Sequence, residues 1–271
     1  MKINNNSGVN QLMQRYWSSA NAASARAIRN IASGYKINSA ADNASGLAIA
    51  RRMNAQITGM STASRNTQDA VSMLQTADGI LSTVGDVVGR MNELAMRAGN
   101  GILSDDERQM LQAEYDQLAS EVDRIGQSSS FNGNKLFDGS TYTMQVGEEG
   151  GNTKDVTMGE LSAAGLGLDK VDLTSVQSAG KAVNTIREAT RIVSSQRAAI
   201  GASENGLQSL LNNLGNSEIN LADSLSKIMD ADIATETMNR NISDALGLTS
   251  LAMMKNSSYL APYNTLQLLM R

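Results

Sequence analysis

Hydroxyls, amines and carboxylates must carry any covalent or acid–base chemistry of this chain, because its 271 residues contain neither cysteine nor histidine. Their absence removes disulfides, thiol nucleophiles, the commonest general base, and the usual zinc and haem ligands. A Ser–Lys nucleophile would still need an organised pocket, and the one glycine-rich stretch is too short to promise it. Within that stretch, Gly147-Glu148-Glu149-Gly150 resembles a phosphate loop only superficially. It places two acids where anion binding wants backbone donors and a lysine, so turn chemistry is the better account. No catalytic, cofactor or metal site is expected, and the chain is read as a non-enzyme.

The elements carry more information than the polar groups. Apolar residues recur every seven positions along Ile186, Val193, Ile200, Leu207, Leu214, Leu221 and Ile228. A second series runs Met53, Met60, Thr67, Leu74, Leu81, Val88 and Ala95, with one polar interruption. A strict seven-residue repeat keeps one seam on one side of a helix and asks for partner helices along its length. Helices of about 50 residues reach roughly 75 Å, far beyond the needs of a globular core. The fold class is therefore mainly α: long heptad-patterned helices packed as a coiled-coil rod, with a small β-hairpin cap.

Composition agrees. Aromatics make up 3% of the chain and there is a single proline. The net charge of −4 gives no case for nucleic acid, whose binders usually carry a basic patch. No apolar run approaches the length of a membrane helix. The first 30 residues show no charged start, apolar block and small-residue cleavage site, so no cleaved secretory signal is evident. That alone would point to the cytoplasm, but it leaves open export with an intact N-terminus.

Residues 1–34 space Val9, Leu12, Met13, Tyr16, Trp17, Ala20, Ala23, Ala27, Ile28 and Ile31 in steps of three and four, predicting an amphipathic helix. It is either an interior helix of the monomer or a segment that orders on docking to partners. A second helix is predicted from Ala41 to Ala98, stopped by Gly99-Asn100-Gly101. Ser104 and Glu107 then form a capping box for a third helix carrying Leu111, Tyr115, Leu118, Val122 and Ile125, folded back antiparallel. From Ser128 to about Leu173 helical spacing gives way to glycines, and Thr141–Val146 can pair with Asp155–Met158 as a hairpin. Thr174 and Gln177 offer another capping box for the helix of the perfect seam. After a polar interruption to Thr237, the nearly uncharged segment to 271 carries Ile242, Leu246, Leu248, Leu251, Met254, Leu260, Leu266, Leu268 and Leu269. Both ends are thus charge-poor and amphipathic, and they are expected to pair, leaving the β-rich middle at the far tip of the rod.

Four stretches resemble bacterial flagellin. Ala32 to Ile49 (Ala-Ser-Gly-Tyr-Lys-Ile-Asn-Ser-Ala-Ala-Asp-Asn-Ala-Ser-Gly-Leu-Ala-Ile) is similar to its N-terminal signature. Phe131 to Gly139 (Phe-Asn-Gly-Asn-Lys-Leu-Phe-Asp-Gly) resembles the turn after its short second helix. Ser226 to Ala234 resembles its C-terminal hinge, and Leu268 to Arg271 its closing segment. The likeness covers almost the whole chain in the correct order, without the large variable insertion many flagellins carry. Departures fall at Gly89, Asn92, Met229 and the run from Lys255 to Thr265.

The resemblance implies a structural subunit that polymerises with copies of itself into an extracellular filament for motility. Export would follow a type III route without a cleaved signal, and further partners would be a flagellar export chaperone, the filament cap and junction proteins. Domains would divide into a terminal inner-tube coiled coil (1–40 and 232–271), a helical rod (41–127 and 174–231) and its β-rich cap (128–173). Leu12, Tyr16, Trp17, Ile28, Ile31, Leu246, Leu251, Leu266, Leu269 and Arg271 would serve assembly. The resemblance also implies a monomer recognised by the innate receptor Toll-like receptor 5 through Arg90, Glu93, Leu94, Arg97 and Glu114. On a helix Arg90, Leu94 and Arg97 share one stripe, with Leu94 at the edge of the apolar face. The alternative is a hook–filament junction protein with flagellin-like ends.

Overall fold

The computed structural model describes the backbone of residues 5–269 and the side chains of residues 8–256. Its elements follow in the order α1 (Asn5–Ser33), α2 (Ala40–Ala98), α3 (Asp105–Ser128), β1 (Ser130–Phe131), β2 (Asn134–Lys135), β3 (Thr141–Gln145), β4 (Thr153–Thr157), α4 (Val176–Met229) and α5 (Ile233–Leu269). The chain forms two compact units, Met1–Ala55 with Asn220–Arg271, and Gln56–Ile219. The unit holding both ends is wider than the terminal pair 1–40 and 232–271 taken from the sequence.

In the unit Gln56–Ile219, α2 and α4 run antiparallel. Gln75 Nε2 donates to Glu204 Oε1 at 2.8 Å, and Arg197 clasps the Asp78 carboxylate at 2.8 Å. The two heptad seams supply the core: Leu74, Leu81, Val88 and Ala95 from α2, with Ile186, Val193, Ile200 and Leu207 from α4, are all buried. The polar interruption is accommodated, since buried Thr67 Oγ1 donates to its own helix at Ala63 O, 2.7 Å away. Farther along, Met53, Met60, Leu221 and Ile228 are only half-buried.

The turn after α2 and the start of α3 form as expected. Ser104 Oγ accepts from Glu107 N, while Glu107 Oε2 accepts from Ser104 N at 2.8 Å. What the sequence did not reveal is Arg108. Its buried guanidinium donates to the carbonyls of Ala98, Asn100 and Leu103 at 2.8, 2.9 and 2.5 Å. Ala98 O and Leu103 O are carbonyls that a helix end and a tight turn leave without backbone partners, while Asn100 O also accepts from Leu103 N.

The non-helical middle holds two small hairpins. β1 pairs with β2 around Asn132 (φ 49°) and Gly133 (φ 84°), the left-handed pair that a two-residue hairpin turn demands. β3 pairs antiparallel with β4, with Tyr142 opposite Val156. The second strand begins at Thr153, two residues before the predicted Asp155. Residues 159–173 form no helix or strand, and beside their turn bonds one face of α3 supplies further partners. Gln112 Oε1 accepts from Leu173 N (2.6 Å), Tyr115 Oη donates to Leu168 O (3.2 Å), and Asp123 Oδ1 accepts from Ala163 N (2.7 Å). A Cβ at Gly126 would stand 1.9 Å from Leu161 O, so only glycine lets this segment cross α3. The cap of α4 is Ser175, whose Oγ accepts from Ser178 N, and not the predicted Thr174. The Thr174 amide and hydroxyl are both taken by Asp172, which shifts the helix start by one residue.

In the unit of the two ends, α1 and α5 lie antiparallel, as the sequence leads one to expect. Ser24 Oγ donates to Asp244 Oδ1 (2.7 Å) and Asn30 Nδ2 to Glu236 Oε1 (2.9 Å). The two helix breaks meet in an antiparallel bridge between Tyr35 and Asp230. Lys36 N donates to Met229 O at 2.7 Å, and Ala231 N to Gly34 O at 2.8 Å. Each restarting helix is capped by a side chain. Asp42 accepts from the amides of Asn38 and Ser39, Asn43 from Gly46 N, and Asp232 from Ala234 N and Thr235 N. These bonds satisfy amides that a helix start leaves without a partner.

Candidate functional site

Amphipathic helices normally bury their large apolar residues and turn small or polar ones outward. The pair α1–α5 does the reverse. Its buried line on α1 is Ala20, Ser24, Ala27 and Asn30, and on α5 Ser243, Gly247 and Ser250. The small side chains bring the backbones close, and the polar ones are satisfied within the unit: Ser24 by Asp244, Ser250 by Leu246 O at 2.8 Å. The large apolar residues stay outside. Tyr16 is 56% exposed and Leu246 57%, and Leu12, Trp17, Ile28, Ile242, Leu248 and Leu251 are exposed as well. Ile31 is half-buried. Beside the small-residue line Met13, Tyr16, Ala20, Leu246 and Met253 border a groove of about 380 Å³. Exposed apolar side chains in this number are what an interaction surface presents. Of the candidate assembly residues, Leu266, Leu269 and Arg271 lie outside the described side chains.

The second candidate surface lies on α2 and α3. Arg90 Nη2 donates to Glu114 Oε1 at 2.8 Å and Nη1 to Glu93 Oε2 at 2.9 Å, with all three side chains exposed. The Glu114 carboxylate first, and Glu93 second, hold the Arg90 guanidinium above its ordinary pKa. Arg97 is also exposed, on the rim of a cleft with Asn100, Leu103, Glu107, Met110 and Leu111. Leu94 requires correction. It is 0% exposed and belongs to the core that α2, α3, α4 and the cap share, so it presents nothing to a partner. Met91, Leu94, Ala95 and Ala98 are all fully buried, because α2 is covered along two adjacent stripes rather than one seam.

Among the described residues no three acidic side chains converge on a metal position, and no helix is long and apolar enough to cross a membrane. Among the described residues Tyr115 is the titratable group driven farthest from its usual range. Burial, then the charges of Asp116 and Asp169, push its phenol up, so it remains a hydrogen-bond donor to Leu168 O. Its role is to tie α3 to the irregular segment.

Comparison with known proteins adds the family. Residues 3–142 match the family model for the bacterial flagellin N-terminal helical region, and residues 183–269 that for the bacterial flagellin C-terminal helical region. A flagellin of Halalkalibacterium halodurans is 38% identical over 248 residues, spanning 90% of this chain and 91% of that protein. A flagellin of Bacillus subtilis is 34% identical over an alignment of 306 positions, spanning 99% and 100%. Among solved structures, a putative flagellar hook-associated protein from Vibrio parahaemolyticus superposes with a TM-score of 0.59 at 14% identity, covering 70% of this chain and 100% of that one, a likeness of fold.

Proposed function

This chain belongs to the bacterial flagellin family, structural proteins and not enzymes that build the filament outside the cell, and we propose that its copies join through the large apolar side chains that α1 and α5 turn outward. One observation carries the reading. The small residues are used up in closing α1 on α5, so Leu12, Tyr16, Trp17, Ile28, Leu246 and Leu251 have no use within the monomer. Burying them against a second copy removes apolar area from water at roughly 25 cal/mol per Å². Repeated heterologous contacts that do not close into a ring generate an open helical polymer. The charge-poor ends suit such a dense interior.

The same reading includes export through a type III route with an intact N-terminus, and engagement of an export chaperone, the filament cap and junction proteins. What supports it is membership of the family together with exposed apolar ends that need covering before assembly. The junction-protein alternative is less favoured, since identities of 34–38% run to proteins named flagellin over 90% or more of the chain. Toll-like receptor 5 is a further proposed partner of the monomer, through Arg90, Glu93, Arg97 and Glu114. The support is an exposed, mutually bridged charge cluster on two antiparallel helices.

The test of assembly is seeded polymerisation followed by electron microscopy. Trp17→Asp and Leu246→Asp should each abolish filaments while the monomer keeps its helical circular dichroism. Deleting residues 1–34 or 240–271 should do the same with the middle still folded. Filaments of normal length from any of these variants would defeat the reading.

A further inference from the structure

With no cysteine, methionine is the only oxidisable sulfur in this chain, and there are 15 of them. Among the described residues they range from buried through half-buried to exposed. Met73, Met91 and Met158 are buried in the core, whereas Met96, Met110, Met238 and Met253 are exposed. Met253 is 53% exposed, and with half-buried Met13 it borders the α1–α5 groove beside Tyr16 and Leu246. On α5, Met238, Ile242, Leu246 and Met253 follow one another in steps of four, four and seven, which places them on one stripe. Two thioethers therefore stand in the outward apolar face. Elsewhere Met96 and Met110 stand on α2 and α3.

We propose that Met253 and Met13 form an oxidation site that decides whether a subunit can join the polymer, an inference that rests on assembly through this face. The oxidant is a two-electron oxygen donor of the peroxide class. The sulfur lone pair attacks one peroxide oxygen, the S–O bond forms as the O–O bond breaks, and the departing hydroxide takes the proton of the transferred oxygen and leaves as water. Sulfur loses two electrons and the peroxide gains them. The product sulfoxide is polar and a strong acceptor where a thioether was apolar and adaptable. Two nearby hydroxyls cannot readily answer it, since Thr249 and Ser250 already donate to the carbonyls of Ala245 and Leu246 at 2.8 Å. A sulfoxide seated against another subunit would bury a polar oxygen without a partner, which disfavours the contact. The free subunit is consequently the vulnerable form. Once the face is covered, the same sulfurs are shielded.

The experiment treats the full-length monomer with hydrogen peroxide, maps oxidation by peptide mass spectrometry, and measures the critical concentration for seeded polymerisation by light scattering. Met253 and Met13 should gain oxygen well before Met73, Met91 and Met158, and the critical concentration should rise at least tenfold with helical circular dichroism unchanged. The quantity compared between variants is the ratio of critical concentrations with and without peroxide. In Met13→Leu/Met253→Leu that ratio should fall well below the parent's, with exposed Met238 on the same stripe accounting for what remains. In Met96→Leu/Met110→Leu it should stay as in the parent. A parent ratio near one, a double variant at positions 13 and 253 as sensitive as the parent, or loss of helix on oxidation would each overturn the proposal. An untreated parent that forms no polymer overturns the assembly reading beneath it, a result distinct from those three.

Discussion

Ala20 of α1 places its Cβ 3.9 Å from the point where a Cβ on Gly247 of α5 would stand. That is ordinary van der Waals distance, so the helix pair is closed to the thickness of one methyl group and no more. A further carbon or two at Gly247 would have to displace the α1 backbone.

Gly247→Ala should therefore melt within about 1 kcal/mol of the parent, the added methyl touching Ala20 and its helix propensity offsetting any crowding. Gly247→Leu overpacks the line and should cost about 1–3 kcal/mol. Circular dichroism melting compares the two. Equal melting of the leucine and alanine variants would show that the pair is not closed at this point.

Arg108 should be intolerant of replacement. Its guanidinium serves Ala98, Asn100 and Leu103 at once, and those carbonyls lose their donors together in Arg108→Leu. A loss of about 2–4 kcal/mol is expected from a buried, charge-assisted cluster of this kind. Arg108→Lys should not restore it, because an ammonium on a flexible stem does not reproduce the fork. Urea unfolding of the three proteins is the measurement, and near-parental stability of the lysine variant would refute the claim.

The proposed receptor role of the charge cluster on α2 and α3 can be tested apart from stability. Arg90→Ala and Glu114→Ala should lower affinity for a purified Toll-like receptor 5 ectodomain about tenfold each, as expected for anchors in a compact interface. Their melting temperatures should move by no more than about 2 °C, exposed ion pairs being weak. Leu94→Ala should behave the opposite way, losing about 2–5 kcal/mol of stability through a core cavity. Parental receptor binding by both charge variants would mark the cluster as surface decoration.

Acid should loosen the unit of the two ends through Asp42 and Asp232. The Ser39 hydroxyl and amide hold Asp42 below its ordinary pKa, and the Thr235 hydroxyl and amide do the same for Asp232. A depressed folded pKa means that the unfolded chain takes up protons first as pH falls. The stability these caps contribute is complete above the usual carboxylate range near pH 4. It is lost as pH drops through their lower folded values. Melting temperature should thus fall below about pH 4, and Asp42→Asn/Asp232→Asn should flatten that part of the curve. A double variant with the parental acid limb would assign the effect to other carboxylates.

Several features were legible because they are local. The central stretches of the seven-residue seams, the stop at Gly99-Asn100-Gly101, the Ser104–Glu107 box and the hairpin, whose second strand starts two residues early, each depend on spacing within one segment. The polar Thr67 in the seam was no obstacle, since its hydroxyl turns back on its own helix.

Other features needed the chain to fold. Leu94 looks like the rim of an apolar face until α2 is covered along a second stripe, and it is then fully buried. Thr174 reads as the cap in sequence, but Asp172 engages it and leaves Ser175 to cap the helix. Gln112, Tyr115 and Asp123 read as ordinary helix residues, yet they supply the hydrogen bonds of a backbone segment some 40 to 60 positions away. Periodicity announced that the two ends are amphipathic, but not which side of each helix would be used at home. Because side-chain size decides how near two backbones can come, Ala20, Ser24, Ser243 and Gly247 closed the pair and the large residues were left exposed. That division depends on distances between residues more than 200 positions apart, which no pattern along one helix contains.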